Sequence, residues 1–191
     1  MKVLLIADEG QLVSAVRQST SDTEWTTLEP GLLTNDDAVG QAVEGVEAIL
    51  HLGAVTHDAA MDDRHRLDLD TRGTYILLAA AVEAGVLRVV YGSTLSLFAS
   101  YSDDVYITEH WRPMPTDDPA QMMPYLGEMV CREYARDHRI GVTCLRFGTL
   151  VDSEAEERTP STDWVDYRDA AQAIHLALAR DESQAINWIR R

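Results

Sequence analysis

Three short stretches of this 191-residue sequence carry groups able to do chemistry. Gly92-Ser93-Thr94 sets two hydroxyls directly behind the apolar run Leu87-Arg88-Val89-Val90-Tyr91. Polar groups at the carboxyl end of a strand face the crevice where α/β proteins take up ligands. Asp8-Glu9-Gly10 follows another apolar run, and a glycine there serves either as a phosphate cradle or as a plain strand-to-helix turn. The third stretch holds His57, Asp58, Asp62, Asp63 and His65. These lack the helical i, i+4 pairing of a ligand set, so they read as a solvated loop, and no metal site is expected. His51, alone at the end of its apolar run, reads as a satisfied structural group. Cys131 and Cys144 show neither metal-ligand spacing nor a disulfide framework and read as two buried free thiols.

Such groups need a frame to hold them. Val46 to Ala54 is too short for a free-standing helix and is bounded by glycines, which suits a buried parallel strand. From Gly73 to Ala84, Tyr75, Leu78, Ala81 and Val82 recur at helical spacing, and Gly85 supplies a left-handed stop. With Leu87 to Tyr91 as the next strand, this is a βαβ unit. Upstream, Lys2 to Ala7 forms a first strand, and Leu12, Val13 and Val16 mark an amphipathic helix ending near Ser19. Before the helix start at Asn35, only Trp25-Thr26-Thr27-Leu28 offers strand residues. Downstream, Pro124 favours the start of a helix running to Asp137, followed by a strand from Val142 to Phe147 with Gly148-Thr149 as its exit turn. Asp166 leads into a helix with Ala170, Ala173, Ile174, Ala177 and Leu178 inward, and Ala185 to Ile189 reads as a short last strand.

The bulk properties limit what the chain does. An apolar content of 46% suffices for a sizeable core, and the length gives one domain, residues 1–191, with no second large one. Thirty-two acidic against 16 basic side chains leave a formal charge of −16, which opposes binding to nucleic acid or to an anionic membrane. No signal peptide or membrane-length apolar run is visible, so a cytoplasmic location is expected.

The residue order is more specific than the pattern. "EGVEAILHLGA", "DTRGTYILLAAAVEAGVLRVVYGST", "VTCLRFG" from Val142 to Gly148 and "DWVDYRDAAQAIHLAL" from Asp163 to Leu178 resemble the extended short-chain dehydrogenase/reductase family, also called the NAD-dependent epimerase/dehydratase family. The resemblance covers most of the chain. It implies a doubly wound, mostly parallel Rossmann-type α/β sheet, here shortened near its second strand and at its C-terminus. It also implies NAD(P) as cofactor, with Gly10, Gln11, Leu12, Leu52, Gly53 and Ala54 at the cofactor and Ala7, Gly10 and Val13 at the three usual glycine positions. Only the middle glycine is present, and Val13 adds branched bulk where helix and strand pack closely. Glu29 is the stand-in for the acidic residue at the adenosine ribose, and Leu32 falls where an aspartate faces the adenine. Asp70 takes the place of an asparagine.

By the same resemblance, Thr94 or Ser93 supplies the hydroxyl that orients substrate, and Tyr125 supplies the phenol that moves the proton. A lysine four residues after that tyrosine normally lowers its pKa and holds the nicotinamide ribose. Here the position is Met129, which packs like a lysine stem but carries no charge. Tyr125, Leu126, Met129 and Val130 also make an apolar helical stripe, so Tyr125 has a packing role as the competing reading. Among members that oxidise sugar acids, a hydroxyl and an arginine nine residues on hold the substrate; Thr149 and Arg158 fit that spacing. Arg158 also sits beside Glu154, Glu156 and Glu157, where it serves as a surface ion-pair partner.

Two functions are therefore weighed. The substitutions at Met129, Val13, Ala7 and Leu32 together with the missing strand favour a degenerate member without ordinary hydride transfer, acting as a binding, regulatory or assembly module. The alternative is a working NAD(P)-dependent oxidoreductase on a small sugar or sugar acid. By the same resemblance, a homodimer through the helices at Gly73–Ala84 and Pro124–Asp137 is the expected assembly, with Met122, Met123, Met129 and Tyr134 either at the contact or completing the core, and another protein is the partner a binding module would need.

Overall fold

The computed structural model describes residues 1–20, 22–56, 61–102, 104–137, 140–154 and 163–180. Five parallel strands form the central sheet: β1 (Lys2–Ile6), β2 (Glu24–Leu28), β3 (Ala48–His51), β4 (Arg88–Thr94) and β5 (Gly141–Phe147), in the order β2-β1-β3-β4-β5. Parallel neighbours need crossovers, and here these are helices that cover both faces. On one face lie α1 (Gln11–Ser19) and α7 (Tyr167–Ala179), packed on Val3, Leu5, Leu50 and Val90. On the other lie α2 (Asp36–Ala42), α5 (Thr74–Glu83) and α6 (Pro119–Asp137), over Leu4, Ile6, Ile49, Val89 and Tyr91. Coverage from both sides explains why Val3, Leu4, Leu5 and Ile6 are all fully buried and why the strand shows no polar alternation.

The expected doubly wound parallel sheet is present, and one strand follows α1 before α2 where the resemblance implies two. Several boundaries differ from expectation. β3 is shorter than the apolar run, because the chain turns at Leu52 into α3 (Gly53–Thr56). The helix expected at Gly73 begins ten residues earlier as α4 (Asp63–Asp68), with the Asp62 carboxylate accepting from the His65 N–H at its start. A π turn, Leu69–Gly73, joins α4 to α5 and buries Asp70. Asp62, Asp63 and His65 therefore open a helix, exposed as expected, while His57 and Asp58 lie outside the described residues. The Gly85 stop is left-handed, φ 74°.

Helix α6 starts at Pro119, so Pro124 and Tyr125 lie inside it instead of opening it. Asp118 sets this earlier start: its carboxylate accepts from the Ala120 N–H, and proline suits the first helical turn. Thr149 likewise does not end a turn but begins β6 (Thr149–Val151), which pairs with β7 (Trp164–Asp166). Ala185 to Ile189 lies outside the described residues. Among those described, no helix is long and apolar enough to cross a membrane, and no three His, Cys, Asp or Glu converge on a metal geometry.

At Gly127 helix α6 comes as close to the sheet as any residue permits. A Cβ there would lie 2.0 Å from the Tyr91 hydroxyl oxygen and 3.1 Å from the Asp70 carbonyl oxygen. Gly127→Ala is therefore expected to cost about 2 kcal/mol or more, as overpacking a filled core does, in urea denaturation. The Tyr91 hydroxyl is buried with no hydrogen-bond partner among the described residues. Tyr91→Phe is accordingly expected to change stability by less than about 0.5 kcal/mol in the same assay.

Candidate functional site

Between β1 and β3 the chain changes direction across the sheet, so the crossover helices leave to opposite faces and a crevice opens at the strand ends. One wall is the turn from Ala7 to Gly10. Gly10 precedes α1 with φ 179° and no side-chain cap, and a Cβ built on it would meet nothing within 4 Å. Neither backbone conformation nor internal packing demands glycine at this position. What glycine provides is open space in front of the first-turn N–H groups of an uncapped helix, the arrangement that takes a phosphate. A cavity of about 550 Å³ lies here, lined among others by Gly10, Gln11 and Ser14 at α1, by Asp166, Tyr167 and Arg168 around the start of α7, and by the acidic Asp152 and Glu154.

The expected cofactor residues divide in this geometry. Gly10 and Gln11 border the cavity, whereas Leu12 and Leu52 are buried in the core. The Gly53 N–H donates to Nδ1 of His51, whose Nε2 stands 3.1 Å from the Thr74 hydroxyl, and Ala54 is half-buried. The first contact makes Nδ1 an acceptor, so His51 is the tautomer protonated on Nε2. Val13 is buried in the core cluster that α7 completes with Ala170, Ala171 and Ile174. Glu9 does not confront the crevice as a bare charge: Arg17 grips it with two hydrogen bonds of 2.8 and 3.0 Å.

The proton-transfer candidates lie around a second cavity of about 590 Å³ between α6 and β5, lined by Tyr125, Glu128, Met129, Arg132, Cys144 and Arg146 among others. Ser93 stands opposite Arg146 in the ladder and Thr94 opposite Phe147. Alternation along the strand puts Ser93 on the face of Tyr91, towards α6, and its hydroxyl is buried without a hydrogen-bond partner among the described residues. Thr94 instead accepts from the Ser96 N–H and caps the short turn Leu95–Phe98. Tyr125 is half-buried on the cavity wall, and Met129 follows one turn later.

Two residues of this wall escaped the sequence reading as functional groups. Glu128, almost fully buried, accepts from Nε and Nη2 of Arg146 at 2.8 and 2.7 Å, a fork closed on both sides. The Glu128 hydrogen bonds raise the Arg146 pKa above its usual value against the opposing effect of burial. The guanidinium also stacks 5.1 Å from the centre of the Phe98 ring. Eighteen residues separate the partners, and no local pattern joins them; only the adjacency of Glu128 to the lysine-position Met129 hinted at the place.

The expected substrate pair is not assembled by the described residues. The Thr149 hydroxyl donates to the Asp163 carboxylate at 2.8 Å, and Arg158 lies outside the described residues. At the start of α7, Asp166 accepts from the Arg168 backbone N–H and from Nε of the same residue at 2.8 and 2.9 Å, and from Ser153. Chiefly through Arg168, and then through Ser153, its carboxyl is held well below the usual carboxylate range.

The model of the NAD dependent epimerase/dehydratase family matches residues 3–159. The chain belongs to that family. It is 28% identical over 146 residues to a uronate dehydrogenase of Pseudomonas syringae pv. tomato, covering 76% of this chain and 52% of that protein. An NAD-dependent glucose-6-phosphate dehydrogenase of Haloferax volcanii is 28% identical over 163 residues, 78% of this chain and 62% of the relative. The crystal structure of a short-chain dehydrogenase/reductase superfamily protein from Agrobacterium tumefaciens with bound NAD superposes with a TM-score of 0.69 at 26% identity, covering 80% of this chain and 50% of that one. The chain thus spans between half and two thirds of the length of these relatives.

Two outcomes test this account of the site. Glu128→Ala leaves a guanidinium buried without its partner and is expected to cost about 3 kcal/mol in urea denaturation, most of it recovered in the double variant Glu128→Met with Arg146→Met. For Asp166 the folded-state pKa lies below the ordinary 3.8, so its stabilisation is present above that pH and is lost as pH falls beneath it. Asp166→Asn is expected to lower Tm at pH 7, and the gap to wild type is expected to narrow at pH 3.

Proposed function

We propose that the chain binds NAD(P) in the crevice over Gly10 and supports oxidation or reduction of a sugar or sugar acid beside Tyr125. The single observation that carries the binding half is the vacated space at Gly10, which nothing inside the protein requires. The uncapped N–H groups of α1 suit a pyrophosphate, and Gln11 borders the same cavity. Glu29, exposed just after β2, is the acidic group available to a ribose hydroxyl. NAD(P) when bound supplies a hydride acceptor or donor. The family and the relatives named as dehydrogenases of uronate and of glucose 6-phosphate support the redox half.

In this reading the Tyr125 phenol exchanges the proton of a substrate hydroxyl, and the buried Ser93 hydroxyl, facing α6, is the group available to orient it. Met129 cannot supply a charge beside the phenol, and the cations of the cavity are arginines, of which Arg146 is engaged by Glu128. That substitution favours a second reading, in which the crevice binds a dinucleotide and the chain acts as a binding or regulatory module without turnover. A homodimer, or another protein partner, fits either reading.

Calorimetric titration with NAD, NADH, NADP and NADPH separates these possibilities. Dissociation constants in the micromolar range, about −8 kcal/mol, are expected for at least one cofactor, and Gly10→Ala is expected to weaken it at least about tenfold with Tm unchanged. Absence of heat with all four at millimolar concentration would sink the dinucleotide reading. Given binding, reduction of NAD(P) with uronates or aldoses that Tyr125→Phe abolishes supports the oxidoreductase. Binding without turnover across that panel supports the module.

A further inference from the structure

The only two cysteines of the chain, 13 residues apart in sequence, meet across the interface of α6 and β5. Cys131 is buried in the core cluster between α6 and the sheet, Cys144 of β5 packs against the same cluster, and the two thiols lie close enough to act on one another. Their surroundings are unequal. Cys144 is half-buried and opens onto the cavity of about 590 Å³ that also holds Tyr125 and Met129. Cys131, 1% exposed, is shielded from solvent. On β5, Val142, Cys144 and Arg146 share one face, which sets a guanidinium two residues from the cavity-facing sulfur.

We propose that Cys144 and Cys131 are a peroxide-sensitive thiol pair, in which Cys144 is the entry sulfur and Cys131 closes an intramolecular disulfide that pins α6 to β5. The oxidant is a hydroperoxide, small enough for a cavity many water volumes in size. The Cys144 thiolate attacks one peroxide oxygen, the O–O bond breaks, hydroxide leaves and the sulfur becomes a sulfenic acid. The Cys131 sulfur then attacks the Cys144 sulfur; the S–S bond forms, the S–O bond breaks, and the Cys131 proton leaves with the oxygen as water. In sum, two thiols and one hydrogen peroxide give one disulfide and two waters.

The roles cannot be exchanged. The nearby Cys144 thiol, burial and the Glu128 charge push the Cys131 thiol up, so it stays protonated until its neighbour is oxidised. The product would tie the helix of Tyr125 and Glu128 to the strand of Arg146, the two walls of the cavity. This inference is independent of whether a dinucleotide binds.

Treatment of the intact chain with stoichiometric hydrogen peroxide, followed by thiol titration and mass analysis under non-reducing conditions, tests it. The expected result is loss of both thiols, a mass lower by two hydrogens, a cross-link between the peptides of Cys131 and Cys144, and a Tm raised by about 5 °C or more and reversed by reductant. Cys144→Ser is expected to slow loss of the remaining thiol at least about tenfold. In Cys131→Ser a dimedone adduct is expected on Cys144. Oxygen adducts on Cys144 with Cys131 still a thiol, disulfide-linked dimers as the main product, or undiminished reaction of Cys131 in Cys144→Ser would each overturn the proposal. Should Cys131→Ser fail to fold, the Cys144→Ser rate and the wild-type cross-link decide alone.

Discussion

The approach of α6 to β4 at Gly127 sets the geometry of the α6 side of the sheet. The Tyr91 ring rises from the sheet and its hydroxyl reaches the helix backbone, while the carbonyl of Asp70 in the π turn closes on the same point. Three elements thus share one contact that only a residue without a side chain can occupy. Tyr125, Glu128, Met129 and Cys131 take their positions from that fixed point, two residues before it to four after. The fork between Glu128 and Arg146 then locks the other wall, β5, to the same helix. Tyr91 itself, fully buried and with the Asp70 charge nearby, has its phenol pKa raised first by desolvation and then by that charge, so it remains a neutral strut.

How much of this was legible depended on whether the signal was local. The sheet announced itself through continuous apolar runs, because strands covered on both faces have no polar side to alternate with. The absence of a second strand after α1 was equally plain, since only Trp25 to Leu28 carries strand residues in that interval. Helix starts were misplaced for a shared reason. At Asp62 and Asp118 a carboxylate caps the first turn, whereas Gly73 and Pro124, residues usual at helix ends, are here embedded in longer helical stretches. Gly10 and Gln11, legible from their place after β1, border the cavity at the start of α1. Glu128 and Arg146 were not legible, because their partnership exists only once β5 lies beside α6. The resemblance pairs Thr149 with Arg158, and sequence spacing carries no information on Asp163, which accepts from the Thr149 hydroxyl.

The charge of the chain and the charge of one of its cavities differ in sign. With an overall formal charge of −16, the surface repels anions at long range. Against that background the α6–β5 cavity gathers Arg112, Arg132 and Arg146 with Glu109 and Glu128, a local excess of positive charge. The cavity at Gly10 is lined by Asp152, Glu154 and Asp166 against Arg168, so its positive potential comes from that arginine and the backbone dipoles of α1. An anionic ligand therefore meets side-chain attraction only on entering the α6–β5 cavity, within a Debye length of about 8 Å at physiological salt.

The loss of a strand beyond β2 has a consequence at the margin of the sheet. Among the described residues no strand pairs with the outer side of β2, so Glu24–Leu28 is the selvage of the sheet, with a row of backbone groups turned to water. Such a margin invites a foreign strand to lengthen the ladder. Here it is short, begins with a charged glutamate, carries two threonines and buries fully only Leu28. The chain keeps a trimmed sheet from growing at its hem by making that hem too wet and too brief to stitch.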